Sequence, residues 1–370
     1  MNSNIVNKYA ELLVNYSLRV KKGDKVYIKS TYLAEDLVNA VIKCILKIGA
    51  YYETKILLKD SDKIFYENAS DDVLKYVSQS ELNIYKTFDC MLTIRAPFDT
   101  KELANINSEK KKMRQVALSS FSKIFSKRSA KASLRWALCQ YPTLSSANDA
   151  NMSLEEYENF VCSSCFLYSD DASKKWQEIS SMQEKLCSYL NSKSKITIIC
   201  GKTNITYLCK NRVWINSDGK RNMPSGEVFT TPIENSVNGI LEVSFPFLYM
   251  GKQVEGLCLT MKNGKVSNFS ATKGEDLLRQ IFSISGSNVF GESAIATNYG
   301  IKTFTNNILF DEKMGGTVHF ALGDSYGETG GKNRSAIHID LICDLKKNGK
   351  IYADDVLFYE NGNILENIIK

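Results

Sequence analysis

The stretch "KKGDKVYIKSTYLAEDLVNAVIKCILKIGAYYETKILLKD", residues 21–60, decides the fold class of the first half of the chain. Gly23 and Asp24 form a turn into an alternating apolar segment, which is typical of a strand. A strongly periodic helix follows and ends at Gly49, the usual left-handed helix terminator. "YYETKILLKD" and, further on, "CMLTIRAP" at 90–97 read as buried strands. This strand–helix–strand order predicts an α/β domain with a parallel or mixed sheet.

The composition changes near residue 195. "SKITIICGKTNITYLCKNRVWIN", residues 194–216, is rich in β-branched and aromatic residues, and glycine turns recur after it. These features predict a mainly β region with one helix near 273–285. A chain of 370 residues is long enough for two domains. We therefore predict an α/β N-terminal domain with a mixed sheet at 1–190 and a β-rich α+β C-terminal domain at 191–370.

The bulk composition is that of a soluble globular protein, with 44% hydrophobic and 24% charged residues and a net charge of +6. The longest apolar stretch, "GILEVSFPFLYMG" at 239–251, is too short to span a bilayer. The N-terminus lacks the pattern of a secretory signal, so we expect a cytoplasmic protein with no membrane partner. Ten scattered cysteines predict reduced thiols, and for Cys162 and Cys165 we favour helix packing over a zinc or redox role.

A basic segment at 108–136 has two interpretations. Phenylalanines lie between its lysines and arginines, a pattern compatible with nucleic-acid binding. Nucleic-acid binding usually requires a concentrated basic patch or a known module. We favour packed helices with a solvated basic face and four inward apolar residues, Val116, Leu118, Ile124 and Phe125, and we expect no nucleic-acid partner.

Both histidines of the chain lie in one short region near the C-terminus. His338 and Asp340 belong to the alternating stretch "SAIHIDLIC" at 335–343, and a period of two places both side chains on one face of a strand. His319 lies in a second predicted strand, "TVHFALG" at 317–323. Nitrogen and carboxylate ligands together suit zinc, cobalt or manganese. A single histidine on a strand is nevertheless more often structural.

Two glutamates strengthen the hypothesis of a metal site. Glu227 in "NMPSGEVFTTP" and Glu292 in "NVFGESAIATN" each follow a glycine directly and begin or occupy a predicted strand. A carboxylate on a rigid element is a pre-organised ligand. From the residues alone, Asp311 and Glu312 in "LFDEK" compete for the same role.

The ordered set of Glu, Glu, His, Tyr and His-x-Asp resembles the thermophilic metalloaminopeptidase family, that of aminopeptidase T and aminopeptidase S. The resemblance continues in the first half, through "YAELLVNYSLRVKKGDKVYI", "RAPFDTKELANI", "RWALCQYPT" and "MSLEEYENFV". It covers essentially the whole chain. Two features depart from the family pattern: the run "DEKMGGTVH" and a short stretch between His319 and His338, which bears on the substrate pocket.

The resemblance implies a metal-dependent aminopeptidase with two divalent ions, either zinc, cobalt or manganese. The residues that match the family's metal site are Glu227, Glu292, His319, Tyr326, His338 and Asp340. It further implies that Glu227 or Glu292 moves the proton to the leaving amine, and that Tyr326 donates to the oxyanion or ligates a metal. Peptides with a free N-terminus are the implied substrates, and a homodimer is the implied assembly. A catalytically degenerate member that binds peptide is the alternative.

Overall fold

The computed structural model describes residues 1–369. The helices are α1 (Ser3–Glu11), α2 (Glu35–Ile48), α3 (Ser61–Asn68), α4 (Asp71–Lys75), α5 (Gln79–Thr87), α6 (Ser108–Ala117), α7 (Ser119–Ala130), α8 (Leu144–Asp149), α9 (Leu154–Ser164), α10 (Ala172–Asn191), α11 (Glu275–Phe282), α12 (Ile308–Asp311) and α13 (Glu366–Ile369). A π-helical turn at Leu12–Ser17 and two 3-10 turns at Tyr32–Ala34 and Gly327–Thr329 complete the helical segments.

The strands are β1 (Lys25–Thr31), β2 (Tyr51–Leu57), β3 (Cys90–Arg95), β4 (Arg135–Gln140), β5 (Lys195–Cys200), β6 (Thr203–Leu208), β7 (Ile215–Ser217), β8 (Asn222–Met223), β9 (Glu227–Thr230), β10 (Asn238–Glu242), β11 (Phe247–Tyr249), β12 (Lys252–Val254), β13 (Cys258–Lys262), β14 (Lys265–Ser270), β15 (Phe290–Ala296), β16 (Thr317–Gly323), β17 (His338–Asp344), β18 (Lys350–Ala353), β19 (Val356–Glu360) and β20 (Asn363–Ile364). α11 is the helix predicted near 273–285.

The chain forms two compact units. The first contains 1–173 and 219–224, and the second contains 174–218 and the chain from 225 onward. The sequence predicts the division at 190/191, at the far end of α10, whereas the units divide at its beginning. The reason is that Leu186 and Leu190 of α10 are fully buried in the core of the second unit. The return of 219–224 to the first unit was not predicted.

The first unit is built on a five-stranded sheet in the order β2-β1-β3-β4-β8. Every pairing in it is parallel, so of the two predicted alternatives, parallel and mixed, the parallel one is present. Helices connect the successive strands from β1 to β4, as parallel pairing requires. α2 buries Leu37, Val41 and Ile45 and ends at Gly49, whose φ of 79° is left-handed as predicted.

The basic segment forms α6, α7 and the start of β4. Its arginines bind backbone carbonyls: Arg114 donates to those of Leu74 and Tyr76 at 3.1 and 2.5 Å. The prediction that Val116 points inward is wrong, because its side chain is 65% exposed. Residues two apart on a helix do not face the same way, so Val116 lies away from the face that carries Arg114.

The second unit is mainly antiparallel β structure, as predicted. An eight-stranded sheet has the order β14-β13-β10-β6-β5-β18-β19-β20, and a five-stranded sheet has the order β17-β16-β15-β9-β7. One hydrophobic core contains buried side chains of both sheets. Tyr207 of β6 joins them: its ring packs edge-on against Phe320 at 5.9 Å, and its hydroxyl is 2.9 Å from that of Ser293.

The cysteines and the helices were the subject of two expectations from composition. All ten cysteines lie within the described residues and are free thiols. Cys162 and Cys165 are buried at the end of α9, and the Cys165 thiol is 3.7 Å from the Tyr9 hydroxyl. Among residues 1–369, no helix is long and apolar enough to cross a membrane.

Candidate metal centre

In the second unit, one face of the five-stranded sheet β17-β16-β15-β9-β7 carries the predicted metal ligands on four neighbouring strands. Glu227 begins β9, Glu292 lies in β15, His319 lies in β16, and His338 and Asp340 lie in β17. Three separate stretches of sequence therefore meet on adjacent strands of one sheet.

The strand register brings the carboxylates into line. Ala321 of β16 is paired with Glu292 on one side and with Asp340 on the other, so these three residues form one row across the sheet. His319 lies two residues from Ala321 and therefore on the same face. The residues on the opposite face of β17, Ile339 and Leu341, are buried in the core, as their alternation predicts.

Small residues separate the charged ones on this face. The alternation of β15 and β16 places Ala294, Ala296, Ala321 and Gly323 on the same side as Glu292 and His319. A methyl group or less at these positions keeps large side chains out of the area between the carboxylates and the imidazoles.

Five of the predicted ligand side chains form two overlapping groups that could each hold a metal ion. In the first, Glu227, Glu292 and His319 place one ligand atom each within 4.8 Å of one another. The second contains Glu292, His338 and Asp340 under the same limit.

Glu292 belongs to both groups through its two oxygens. Its Oε1 is 3.7 Å from Nε2 of His319, and its Oε2 is 3.1 Å from Nε2 of His338. The remaining pairs are Nε2 of His319 with Oε2 of Glu227 at 3.5 Å, and Nε2 of His338 with Oδ1 of Asp340 at 3.4 Å.

The electrostatics of the cluster favour charged groups. Burial opposes the charged form of His338, but hydrogen bonds and attraction from Asp340 and Glu292 outweigh it and raise its pKa to about 11. Burial also opposes the charged form of His319, but a hydrogen bond with Glu292 and attraction from Glu227 and Glu292 outweigh it and raise the pKa. The pKa values of Glu292 and Asp340 are lowered, because the imidazoles outweigh burial. Any divalent cation that binds here takes the place of the positive charge on the two protonated imidazoles.

Neighbouring backbone groups orient the ligands. Nδ1 of His338 lies 3.0 Å from the carbonyl oxygen of Asp324, which leaves Nε2 directed at the carboxylates. Gly291 permits this arrangement, because a Cβ there would lie 2.1 Å from the same carbonyl oxygen. Gly226, directly before Glu227, has a φ of 111°, and a Cβ there would lie 2.7 Å from the Cβ of Asn298.

The donor set fits a divalent cation. Glu227 Oε2 and Asp340 Oδ1 are buried, and among residues 1–369 each faces an imidazole nitrogen, at 3.5 and 3.4 Å, without a well-aligned hydrogen bond. A buried polar atom without a partner is costly, and a bound cation would satisfy both oxygens. Imidazole nitrogens with carboxylate oxygens suit zinc, cobalt or manganese better than calcium.

Tyr326 lies next to the cluster, in the loop after β16. Its ring is 5.3 Å from that of His338 and 5.4 Å from that of Phe229, and the residue is 42% exposed. Desolvation, followed by repulsion from Glu292 and Asp340, raises the pKa of its hydroxyl well above the ordinary value. The side chain therefore stays a neutral hydrogen-bond donor at neutral pH.

The competing acids divide between two roles. Asp311 is used locally, because its Oδ1 accepts from both the backbone N–H and the hydroxyl of Thr305, each at 2.8 Å. Glu312 joins the cluster through a third group of potential ligands with His319 and Asp340.

Two residues of this region were missed by sequence reasoning. Lys313 is fully buried with its ammonium 3.5 Å from Oε1 of Glu227, although it stands inside the stretch "LFDEK" that drew attention. Gln183 of α10 is fully buried and donates to the backbone carbonyl of Glu227 at 2.6 Å. No pattern in the sequence indicates that α10 contacts β9.

A donor set of imidazole nitrogens and carboxylate oxygens is typical of a metal-dependent hydrolase. The family of thermophilic metalloproteases (M29) matches residues 2–364, and the chain belongs to that family. The resemblance stated from the sequence is thereby confirmed, and so is its prediction of a metalloprotease.

Relatives of the chain agree with this assignment. The chain is 26% identical to "Aminopeptidase PepS" of Streptococcus thermophilus over 387 aligned positions, which cover 91% of each chain. It is also 26% identical to "Aminopeptidase 2" of Geobacillus stearothermophilus over 386 positions, again 91% of each. The structure of wild-type AmpT from Thermus thermophilus has a TM-score of 0.83 at 20% identity, covering 98% of this chain and 99% of that one. This likeness shows a shared fold, and it confirms the predicted fold class.

Proposed function

We propose that the protein is an aminopeptidase that removes N-terminal residues from peptides with the help of two divalent metal ions. Family membership and the names of its relatives support the reaction class. The observation that carries the proposal is the position of Glu292, whose two oxygens face the two histidines from within both ligand groups.

In this proposal Glu227, Glu292 and His319 would hold one ion, and Glu292, His338 and Asp340 would hold the other, so that Glu292 would serve both. Zinc, cobalt or manganese at these positions would supply Lewis acidity and lower the pKa of a water molecule toward neutrality.

The remaining steps belong to the side chains. We assign the transfer of the proton to the leaving amine to one of two carboxylates, Glu227 or Glu292, because both oxygens of each face a nitrogen of the cluster at 3.1–3.7 Å. Tyr326 donates its hydroxyl hydrogen to the developing oxyanion, in keeping with its raised pKa. Bound metal would also supply a binding position for the free α-amine of a peptide, which is the reason to expect cleavage at a free N-terminus.

The test is a metal-replete assay over a panel of aminoacyl chromogenic substrates, with EDTA-treated protein as the control. Metal content is measured on the same samples, and activity is restored separately with zinc, cobalt and manganese. We expect turnover that EDTA abolishes and one of the metals restores. Turnover that survives complete metal removal would refute the proposal.

The alternative is a member of the family that binds peptide without cleaving it. The buried Lys313 beside Glu227 is the observation in its favour. Such a protein would take up metal and bind peptide in calorimetry, yet release no product in the same assay. We also propose a homodimer, which light scattering of the purified protein would test.

A further inference from the structure

Lys313 is a buried cation at the edge of the metal centre. It lies two residues after the end of α12, and its side chain has 0% exposure. Its ammonium lies 3.5 Å from Oε1 of Glu227 and is in ion-pair contact with Oε1 of Glu312. A buried ammonium is stable only with partners of this kind.

The two ligand groups differ in their relation to this lysine. Glu227 is a member of the first group, with Glu292 and His319. The second group consists of Glu292, His338 and Asp340, and none of these is an ion-pair partner of Lys313 among the described residues. The ammonium of Lys313 is therefore in direct contact with a ligand of the first position, whereas at the second position it acts on Asp340 from beyond ion-pair contact and less strongly than either histidine does.

We propose that Lys313 makes the two metal positions unequal, so that the position at Glu292, His338 and Asp340 fills first. This inference rests on the proposed function. A divalent ion at Glu227 must share that carboxylate with the ammonium and is repelled by it, because like charges in a poorly solvated site interact strongly. The ion at Glu227 is therefore the weakly held one.

A positioning role for Lys313 predicts the opposite result. If the ammonium only fixed Glu227 in a geometry suited to metal binding, its removal would loosen the carboxylate and weaken the first position. The direction of the change in affinity on removal of the charge separates the two roles.

The experiment is a titration of metal-free protein with Mn²⁺ alone, followed by equilibrium dialysis and electron paramagnetic resonance. The wild type is compared with Lys313→Met, which removes the charge and keeps the chain length. The control is Lys350→Met, which removes a partly exposed lysine that pairs with Glu360 at 3.4 Å, outside the ligand groups.

For the wild type we expect one tightly and one weakly bound ion, whose affinities differ by at least about tenfold, or 1.4 kcal/mol. At one equivalent of Mn²⁺ its spectrum should be that of isolated ions. In Lys313→Met the weak affinity should increase at least about tenfold, and spin-coupled pairs should appear at lower metal concentration. Lys350→Met should behave as the wild type.

Other outcomes overturn the inference or the function separately. Two equal affinities in the wild type, or a weak site that Lys313→Met leaves unchanged or weakens further, overturn the role of Lys313 while the proposed function stands. A wild type that binds no metal overturns the proposed function itself. If Lys313→Met does not fold, Lys313→Gln is titrated in its place, and the wild-type affinities alone still decide whether the positions are unequal.

Discussion

Replacement of Glu292 by glutamine should remove both metal ions at once. The substitution keeps the size of the side chain and removes its charge. Glu292 is the residue common to both groups, so Glu292→Gln leaves each metal position with two of its three ligands. Asp340→Asn, by contrast, leaves the group of Glu227, Glu292 and His319 intact.

The magnitude follows from the spacing of the ligand atoms, which lie within 4.8 Å of one another in each group. At about 4 Å and an effective dielectric constant near 20, one pair of unit charges contributes about 4 kcal/mol. An energy of that size corresponds to about a 10³-fold change in affinity. We therefore expect each ion to bind Glu292→Gln about 10³-fold more weakly than the wild type, and peptidase activity to fall at least as much.

The assay measures metal by mass spectrometry after dialysis at a concentration that saturates the wild type, and turnover on an aminoacyl chromogenic substrate. The wild type should retain two ions, Asp340→Asn one, and Glu292→Gln none. Glu360→Gln, which alters a surface carboxylate, is the control and should match the wild type. Circular dichroism shows whether each variant is folded.

One result would refute this reasoning. A folded Glu292→Gln protein that keeps both ions, or whose activity stays within about tenfold of the wild type, would show that Glu292 does not join the two positions.

Three further predictions follow from the site and its surroundings. Tyr326→Phe should keep both ions and lose about 10²-fold in kcat, as is typical for the loss of one oxyanion donor; loss of metal would instead identify Tyr326 as a ligand. Metal uptake at pH 7 should release protons, because carboxylates raise the pKa of His319 and His338 against the effect of burial. Titration calorimetry tests this in buffers that differ in ionisation enthalpy, and an observed binding enthalpy that is the same in all of them would contradict the release of protons. Burial raises the pKa of Asp311 to about 7, so its stabilising effect is complete in acid, below its ordinary pKa, and is lost as the pH rises through 7. Asp311→Asn should therefore reduce the fall in unfolding free energy between pH 5 and pH 8, by up to about 2.7 kcal/mol; denaturant unfolding at the two pH values measures it, and an equal fall in both proteins would argue against the buried charge.

Much of the fold could be predicted because it depends on local patterns. Gly49 ends α2 because a left-handed residue is needed there, and alternation places Ile339 and Leu341 on the buried face of β17. These features depend on a few neighbouring residues. The parallel order of the first sheet and the return of 219–224 to it depend on pairings between distant segments, which periodicity does not encode.

The candidate site divides in the same way. The histidines, the His-x-Asp spacing and the glycines before Glu227 and Glu292 were visible in the sequence, and the family resemblance chose these glutamates over Asp311. The approach of Lys313 to Glu227 was not visible, because 86 positions separate the two residues and nothing in "LFDEK" distinguishes a buried lysine from a solvated one. Val116 was misplaced for a related reason: the helix packs through its arginine, not through its apolar residue.

Ala321, which lies between Glu292 and Asp340, makes the site sensitive to a substitution that changes no reactive or metal-binding group. The side chain of Ala321 is a methyl group without charge or polar atoms. It lies in the row where a larger side chain would stand between the two acids. A chain could keep every functional group intact and still be disabled by two or three extra carbon atoms here. A survey that judges members of the family only by their acids and imidazoles would count such a protein as competent.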